Sequence, residues 1–439
     1  MTTLDPARTP ALDPRDPPPV GMRLLLTLVA GRSIFRIVLF GANLALLAAW
    51  TRADFDKYAA ASAGLAWMVA LAQAGPEKAA LKLIPRTRHI RDALVAGLVW
   101  GIRLVPALAG VAAAVALAVD RHGTATLYLV MAAESAAVGC NVAAVGVLRA
   151  LGRTGYDPRN FAVLSTGWIV ITAAALAVGM DPVAYVALQF LLTVGVTELT
   201  LFRVGAPIRN LTGRPRVLRI LAGTVALMGV QDVVACVAVS WVFFVLPLTG
   251  HADQSGELYV AVAGWAIVLA FFTYLLRVFQ PRVSLRLAGG GAQDGRKWGR
   301  VLGWWALGIN GAWLASVALT IRAPGLASPP AGRPTVATLV ALLASHTPVM
   351  LLTGLGLYLL ENSDGGSLRH AARAGAANLA VVAVVAVAVV PHYGAVGAVW
   401  AFAAGEMAPA AMLIRRAAPG RPAIRLGRAD PGGLSPVSA

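Results

Sequence analysis

Charge is what this 439-residue chain has least of. Asp, Glu, Lys and Arg together make up 13% of it, whereas apolar residues make up 58%. Mean hydropathy is +0.72. A soluble globular domain carries about a quarter charged residues, so that class is excluded. Cysteine is nearly absent: Cys140 and Cys236 both lie inside apolar runs, read as small core residues, and say nothing about redox compartment. Acid is scarcer than base, 20 residues against 37, for a net charge of +17. In a soluble chain that excess would suggest nucleic acid. Here no nucleic-acid partner is expected, because basic residues belong in the loops that stay in the cytosol and on anionic lipid. There is no Gly-Lys-Ser/Thr phosphate loop, and the glycine run AGGGAQDGRKW reads as a linker. No outside loop is long enough for the acids of a polytopic glycosyltransferase. No cofactor or metal site is expected, and the chain does not read as an enzyme.

What is there is a series of apolar runs, each about the 20 residues that cross a hydrocarbon core. They are continuous rather than alternating, which excludes a β-barrel. Twelve spans are predicted, near 24–50, 58–75, 93–119, 124–148, 161–180, 182–202, 217–248, 258–279, 301–321, 335–360, 374–390 and 394–414. With the N-terminus in the cytosol, 29 of the basic residues fall in inside segments, Lys78, Lys82 and Arg86 among them. Five fall outside and three, Arg32, Arg36 and Arg103, within spans. That asymmetry predicts both termini cytoplasmic. The fold expected is an all-α polytopic membrane protein, two six-helix lobes around a central cavity. Its parts would be a disordered N-tail (1–22), lobes at 23–204 and 217–414, a basic linker (205–216) and a basic C-tail (415–439).

Ionisable groups inside spans are expensive and therefore candidates for function. Arg32 and Arg36 lie four apart on one helix face, with Asn43 a heptad beyond Arg36; Arg103 lies deep in the third span. An arginine that cannot snorkel must face a polar cavity, and its planar fork suits phosphate or carboxylate. The alternative for Arg32 and Arg36 is headgroup level. Glu134, Asp232 beside Gln231, and Glu406 sit near mid-span, where each could take a proton or Na⁺. The competing reading is structural pairing, with Glu134 to Arg103 or Arg36 the obvious candidate pair. Glu198 is expected to pair with Arg203 at the boundary. His346 is expected at a Pro-distorted turn and His392 in an outside loop, neither as a ligand.

Several stretches resemble polysaccharide flippases of the multidrug/oligosaccharidyl-lipid/polysaccharide exporter superfamily. GVQDVVACV holds Asp232 in the seventh helix; Tyr259-Val260-Ala261 follows a short outer loop, and Pro281 follows helix eight. Near the C-terminus, Asn378-Leu379, Pro391-x-Tyr393-Gly394 and Gly397-Ala398 are similar to the family pattern. The resemblance implies lobes that open alternately to each side of a bacterial cytoplasmic membrane. It implies an undecaprenyl-diphosphate-linked glycan as substrate; the residues that suit its diphosphate and sugar by their own chemistry, and by no family motif, are Arg36, Arg103, Asn43 and Arg32. Asp232, Gln231, Glu134 and Glu406 would serve as cavity or ion-coupling groups. A monomer is expected, alongside a polysaccharide polymerase or glycosyltransferases. Two alternatives stay open: an H⁺- or Na⁺-coupled multidrug or small-metabolite exporter of the same superfamily, and a non-transporting scaffold of polysaccharide assembly.

Overall fold

The computed structural model describes residues 22–87, 89–205, 215–251, 254–287, 292–322, 334–363 and 365–415. The expected N-tail, most of the 205–216 linker and the C-tail beyond 415 lie outside the described residues. All regular structure among the described residues is helical: α1 (Met22–Ala49), α2 (Arg52–Arg86), α3 (Arg91–Val119), α4 (Thr124–Ala150), α5 (Tyr156–Val178), α6 (Pro182–Val204), α7 (Pro215–Leu248), α8 (Ser255–Arg286), α9 (Ala292–Arg322), α10 (Val336–Glu361) and α11 (Gly365–Arg415). Nine of these are long and apolar enough to cross a membrane. The protein is a multi-pass membrane protein.

Local chemistry explains where the helices start. Asp181 accepts from the amides of Val183 and Ala184 and so caps α6, with Pro182 placed where no amide is needed. Thr335 caps α10 through the amide of Thr338. Four elements differ from the expected spans, and the first, α8, runs past 279 to Arg286 with Pro281 inside it rather than after it. α2 does not stop near Gly75 but runs through Pro76 and Pro85 to Arg86, so Lys78, Lys82 and Arg86 belong to a helix and not to a loop. α9 begins inside the supposed linker, at Ala292. α11 contains both of the last two spans. It breaks at Gly394 (φ 54°, ψ −131°), a conformation that costs any L-residue strain, and folds back on itself. Gly405 of the second arm lies against Val382 and Asn378 of the first. His392 is therefore helical, one turn from the hairpin's bend, and not in a loop.

Helix α4 is the axis of the first bundle. Almost all of it is buried, Cys140 included, against α2, α3 and α6. α7, α9 and α10 gather around α11 in the second bundle. The bundles touch through α2 on α7 and through α1 and α2 on α8. At the α2/α7 crossing Gly75 meets Gly229 so closely that a Cβ on Gly229 would lie 3.2 Å from the Gly75 backbone. The apolar clusters show where the bundles are joined. Leu28 packs on Tyr274 and Val278, and Leu94, Leu98 and Ala143 pack on Leu221 of α7. Both of these mixed clusters lie at the arginine-rich end. At the far end the clusters among the described residues are confined to one bundle each, around Leu46, Tyr58 and Tyr185 in the first and Val242, Trp265 and Val390 in the second.

Candidate functional site

The last turns of α2 place Lys78, Lys82 and Arg86 four residues apart, on one face. That face meets the second bundle. Lys78 Nζ donates to Asp232 of α7 (2.9 Å) and to Glu361 of α10 (3.1 Å). Lys82 donates to the Glu361 carbonyl. Arg86 spreads its fork over Ser284 Oγ (2.7 Å), the Ser284 carbonyl (2.5 Å) and the carbonyls of Asn362 and Ser363. These carbonyls close α8 and α10, where the last turn has no partners of its own and the helix dipole is negative. The cations of one bundle thus cap two helices of the other.

Glu77 lies beside this face and is fully buried. Its carboxylate receives Arg277 of α8, Arg32 of α1 (3.3 Å), Arg149 of α4 (3.5 Å) and the Gln73 amide (3.0 Å). Arg277 also holds Asp232 (2.7 Å). Arg149 holds Asp157, which Tyr274 Oη reaches at 3.0 Å, and Arg32 stacks 4.3 Å over the Tyr274 ring. A lone buried charge costs several kcal/mol, and the network answers by alternating sign. Each of its four acids, Glu77, Asp157, Asp232 and Glu361, touches at least one cation.

Arg36 is the exception. One turn beyond Arg32, it is exposed and makes no hydrogen bond or ion pair with any described residue. The charges acting on it, Arg32 and Arg277, are of its own sign. A cavity of about 210 Å³ adjoins the network, lined by Lys78, Gln231, Asp232, Arg277 and Glu361 and, within the second bundle, by Thr353, Asn378 and Glu406. Glu406 accepts from Thr353 (2.5 Å) and Asn378 (3.1 Å) and is held by no cation.

The remaining expected site residues lie elsewhere. Arg103 faces neither Arg36 nor Glu134: it pairs with Glu198 of α6 at 3.0 Å, with side chains 32% and 46% exposed. Glu198 is therefore taken by Arg103 rather than Arg203. The two are brought together because α3 and α6 run side by side, Gly110 lying against Phe190. Glu134 is buried in the first bundle beside Tyr58 and Tyr185, one oxygen without a partner. It pairs with neither arginine. Asn43 accepts from Tyr58 Oη (3.0 Å) in the same far-end cluster, away from Arg36. Arg32 is paired inside the network, with Glu77 at 3.3 Å and Asp157 at 3.5 Å. His346 lies mid-helix in α10, buried against Trp313 at 5.4 Å between ring centres, with neither ring nitrogen hydrogen-bonded to a described residue. Glu77, Arg149, Asp157, Arg277 and Glu361 escape the sequence reading, since each sits near the end of an expected apolar span, where a charge looks solvated. The visible signal was the repeat at 78, 82 and 86, a charged stripe too regular for a loop.

Two all-α bundles, joined over a buried polar seam, make up the described structure. No protein-family model matches the sequence, and no curated protein is detectably similar to it. The fold itself is that of MATE and MOP-superfamily transporters. A MATE protein in the straight conformation superposes with a TM-score of 0.59 at 14% identity, over 90% of this chain and 94% of that one. A MOP-superfamily transporter from Pyrococcus furiosus, for which reverse polarity of the binding pocket suggests a different function, gives 0.61 at 13% over the same shares. An outward-facing multidrug resistance MATE family transporter gives 0.61 at 14%, again over 90% and 94%.

Proposed function

We propose that the protein is an exporter of a bacterial cytoplasmic membrane, and that it moves an undecaprenyl-diphosphate-linked glycan by alternating access. Its arginine-rich end would face the cytosol. Arg36 carries the substrate reading: it is an unpaired guanidinium among cations, next to a seam that holds six basic side chains and four acids. An anion with two phosphates would supply the missing charge and accept the planar fork. Arg103, already neutralised by Glu198, has no part in it. The joint at the arginine-rich end and the separate far-end cores support the alternation. On this reading the present arrangement is one end of such a cycle. Reaching the other end means breaking every cross-bundle contact of α2.

In proteoliposomes Arg36→Ala should slow translocation of a lipid-linked glycan at least tenfold, while Arg103→Ala changes it less than twofold. Equal loss in both variants, or in neither, would remove Arg36 from substrate binding.

One observation favours the second reading, an H⁺- or Na⁺-coupled exporter of small cations. Glu406, with Thr353 and Asn378, puts a carboxylate without a counter-cation on the cavity wall. The same residue suits ion coupling in the first reading, and Glu134 is the corresponding acid of the first bundle. Asp232 suits it less, because Lys78 and Arg277 already balance its charge, and a proton there would leave each of them with a single acid, Glu361 and Glu77. Glu406→Gln should leave transport insensitive to collapse of the ion gradient. A gradient response kept in that variant points away from Glu406. Cells made resistant to several unrelated cationic compounds by the unmodified protein would favour the second reading over the first.

A further inference from the structure

We infer that the outward face of α9 is a binding site for an anionic phospholipid. Lys297 and Arg300 hold the headgroup phosphate, and an acyl chain lies in the cleft between Trp304 and Trp305. The inference does not depend on what the cavity transports. One face of α9 is spent on the second bundle: Gly299 lies against Gly356 and Leu360 of α10, Gly303 lies against Ala410 and Leu413 of α11, and Asn310 donates to the Ala403 carbonyl. The opposite face carries Lys297, Arg300, Trp304 and Gly308, all exposed. Their spacing of three, four and four residues sets them on one stripe. Beside it, three of the chain's eleven tryptophans, Trp298, Trp304 and Trp305, are 59%, 58% and 63% exposed, so their bulk goes to the surroundings and not to the core.

Position along the helix assigns the two ends of the ligand. α9 begins at the arginine-rich end, where Gly295 lies against Ser363 and Leu287. Lys297 and Arg300 follow within two turns, and neither side chain pairs with a described residue. Asp294, exposed one turn before Lys297, forms no ion pair with either. Gly308 lies about 12 Å beyond Arg300. There an open cleft of about 360 Å³ is lined by Trp304, Trp305, Gly308, Ile309 and Ala312. A Cβ on Gly308 would meet nothing within 4 Å, so the cleft has a bare floor. Cations, then indoles, then an apolar notch is the order that a phospholipid presents as phosphate, ester and chain. Charge decides between a lipid and a second copy of the chain. Gly308 and Ala312, small residues four apart, would let two helices approach. A two-fold dimer through this face, however, sets Lys297 and Arg300 against their own copies, and like charges at that range repel. An anionic headgroup meets both with the opposite sign. No α9 residue lines the cavity at Asp232, so a lipid held here stays in the bilayer and is not the cargo.

The test uses the full chain in phosphatidylcholine nanodiscs, with brominated-chain phosphatidylglycerol or brominated-chain phosphatidylcholine added to quench nearby indoles. The signal of the site is the quenching that disappears in Trp304→Phe with Trp305→Phe. Each cation near an anionic surface is worth about fivefold in binding. Brominated phosphatidylglycerol should therefore give half-maximal quenching at a mole fraction at least tenfold below that of brominated phosphatidylcholine. Lys297→Gln with Arg300→Gln should erase the preference, and Lys297→Arg with Arg300→Lys should keep it, which separates loss of charge from loss of shape. Gly308→Leu fills the notch without touching either cation and should weaken quenching by both lipids, with the melting temperature unchanged. Equal quenching by the two lipids in the unmodified protein is ordinary bilayer contact and overturns the inference. A preference that survives the double glutamine variant overturns it as well. A dimer that Gly308→Leu dissolves would give the face to a second copy, with the same consequence. Glycan transport is untouched by each of these outcomes.

Discussion

Single residues divide here by whether a charge has company. Glu77 has four donors and no exposure, so Glu77→Gln leaves three guanidiniums facing one another. Stripping a buried network of its acid costs about 3–5 kcal/mol, whereas an exposed pair is worth about 1 kcal/mol or less. Glu77→Gln should therefore lower the melting temperature in detergent sharply and Glu198→Gln hardly at all; similar shifts would contradict the buried assignment. The sequence exposed Asp232, Glu134 and Glu406 as anomalies because they interrupt apolar runs. It did not expose Glu77 or Glu361. A charge near a helix end looks like every solvated charge until a second element covers it.

At the scale of elements, two helices decide the site. α2 carries acids and bases along its length and two prolines, so it fails as an apolar span and reads as half helix, half loop. Neighbours on both sides rescue it: α4 buries its apolar face, and α7, α8 and the end of α10 take up the charges of its last turns. α11 reads as two spans, and the bend at Gly394 is legible in Pro391-His392-Tyr393-Gly394. What is not legible is that the helix bends without a loop and closes its arms through Asn378 and Glu406. Gly394→Ala forces a side chain into φ 54° and against the Gln254 amide. A cost of about 1–3 kcal/mol is expected, read as a lower melting temperature. An unchanged melting temperature would mean the bend is not strained.

For the whole molecule the issue is which contacts must break. Among the described residues the mixed apolar clusters lie near the arginine-rich end, where Leu28 meets Tyr274 and Val278 and Leu221 joins the first bundle's core. Tethering α1 to α8 there, with Leu28→Cys and Val278→Cys joined by a short thiol crosslinker in a cysteine-free background, should stop transport, and reduction should restore it. Transport undiminished by the closed tether would deny that this end opens at all. The multi-pass, all-helical architecture was legible because hydrocarbon selects for length and apolarity, both additive properties of a segment.

Composition alone therefore determined the class: long apolar helices follow from 58% apolar residues, and the orientation expected of them follows from the placement of 37 basic ones. Tertiary structure decided which charges are neutralised. Arg36 and Arg103 are alike in sequence, each a guanidinium within a span, yet α6 supplies Arg103 with Glu198 while Arg36 meets only cations. Charge is local to a residue, but compensation depends on what another helix brings within about 4 Å, and that distance exists only after folding.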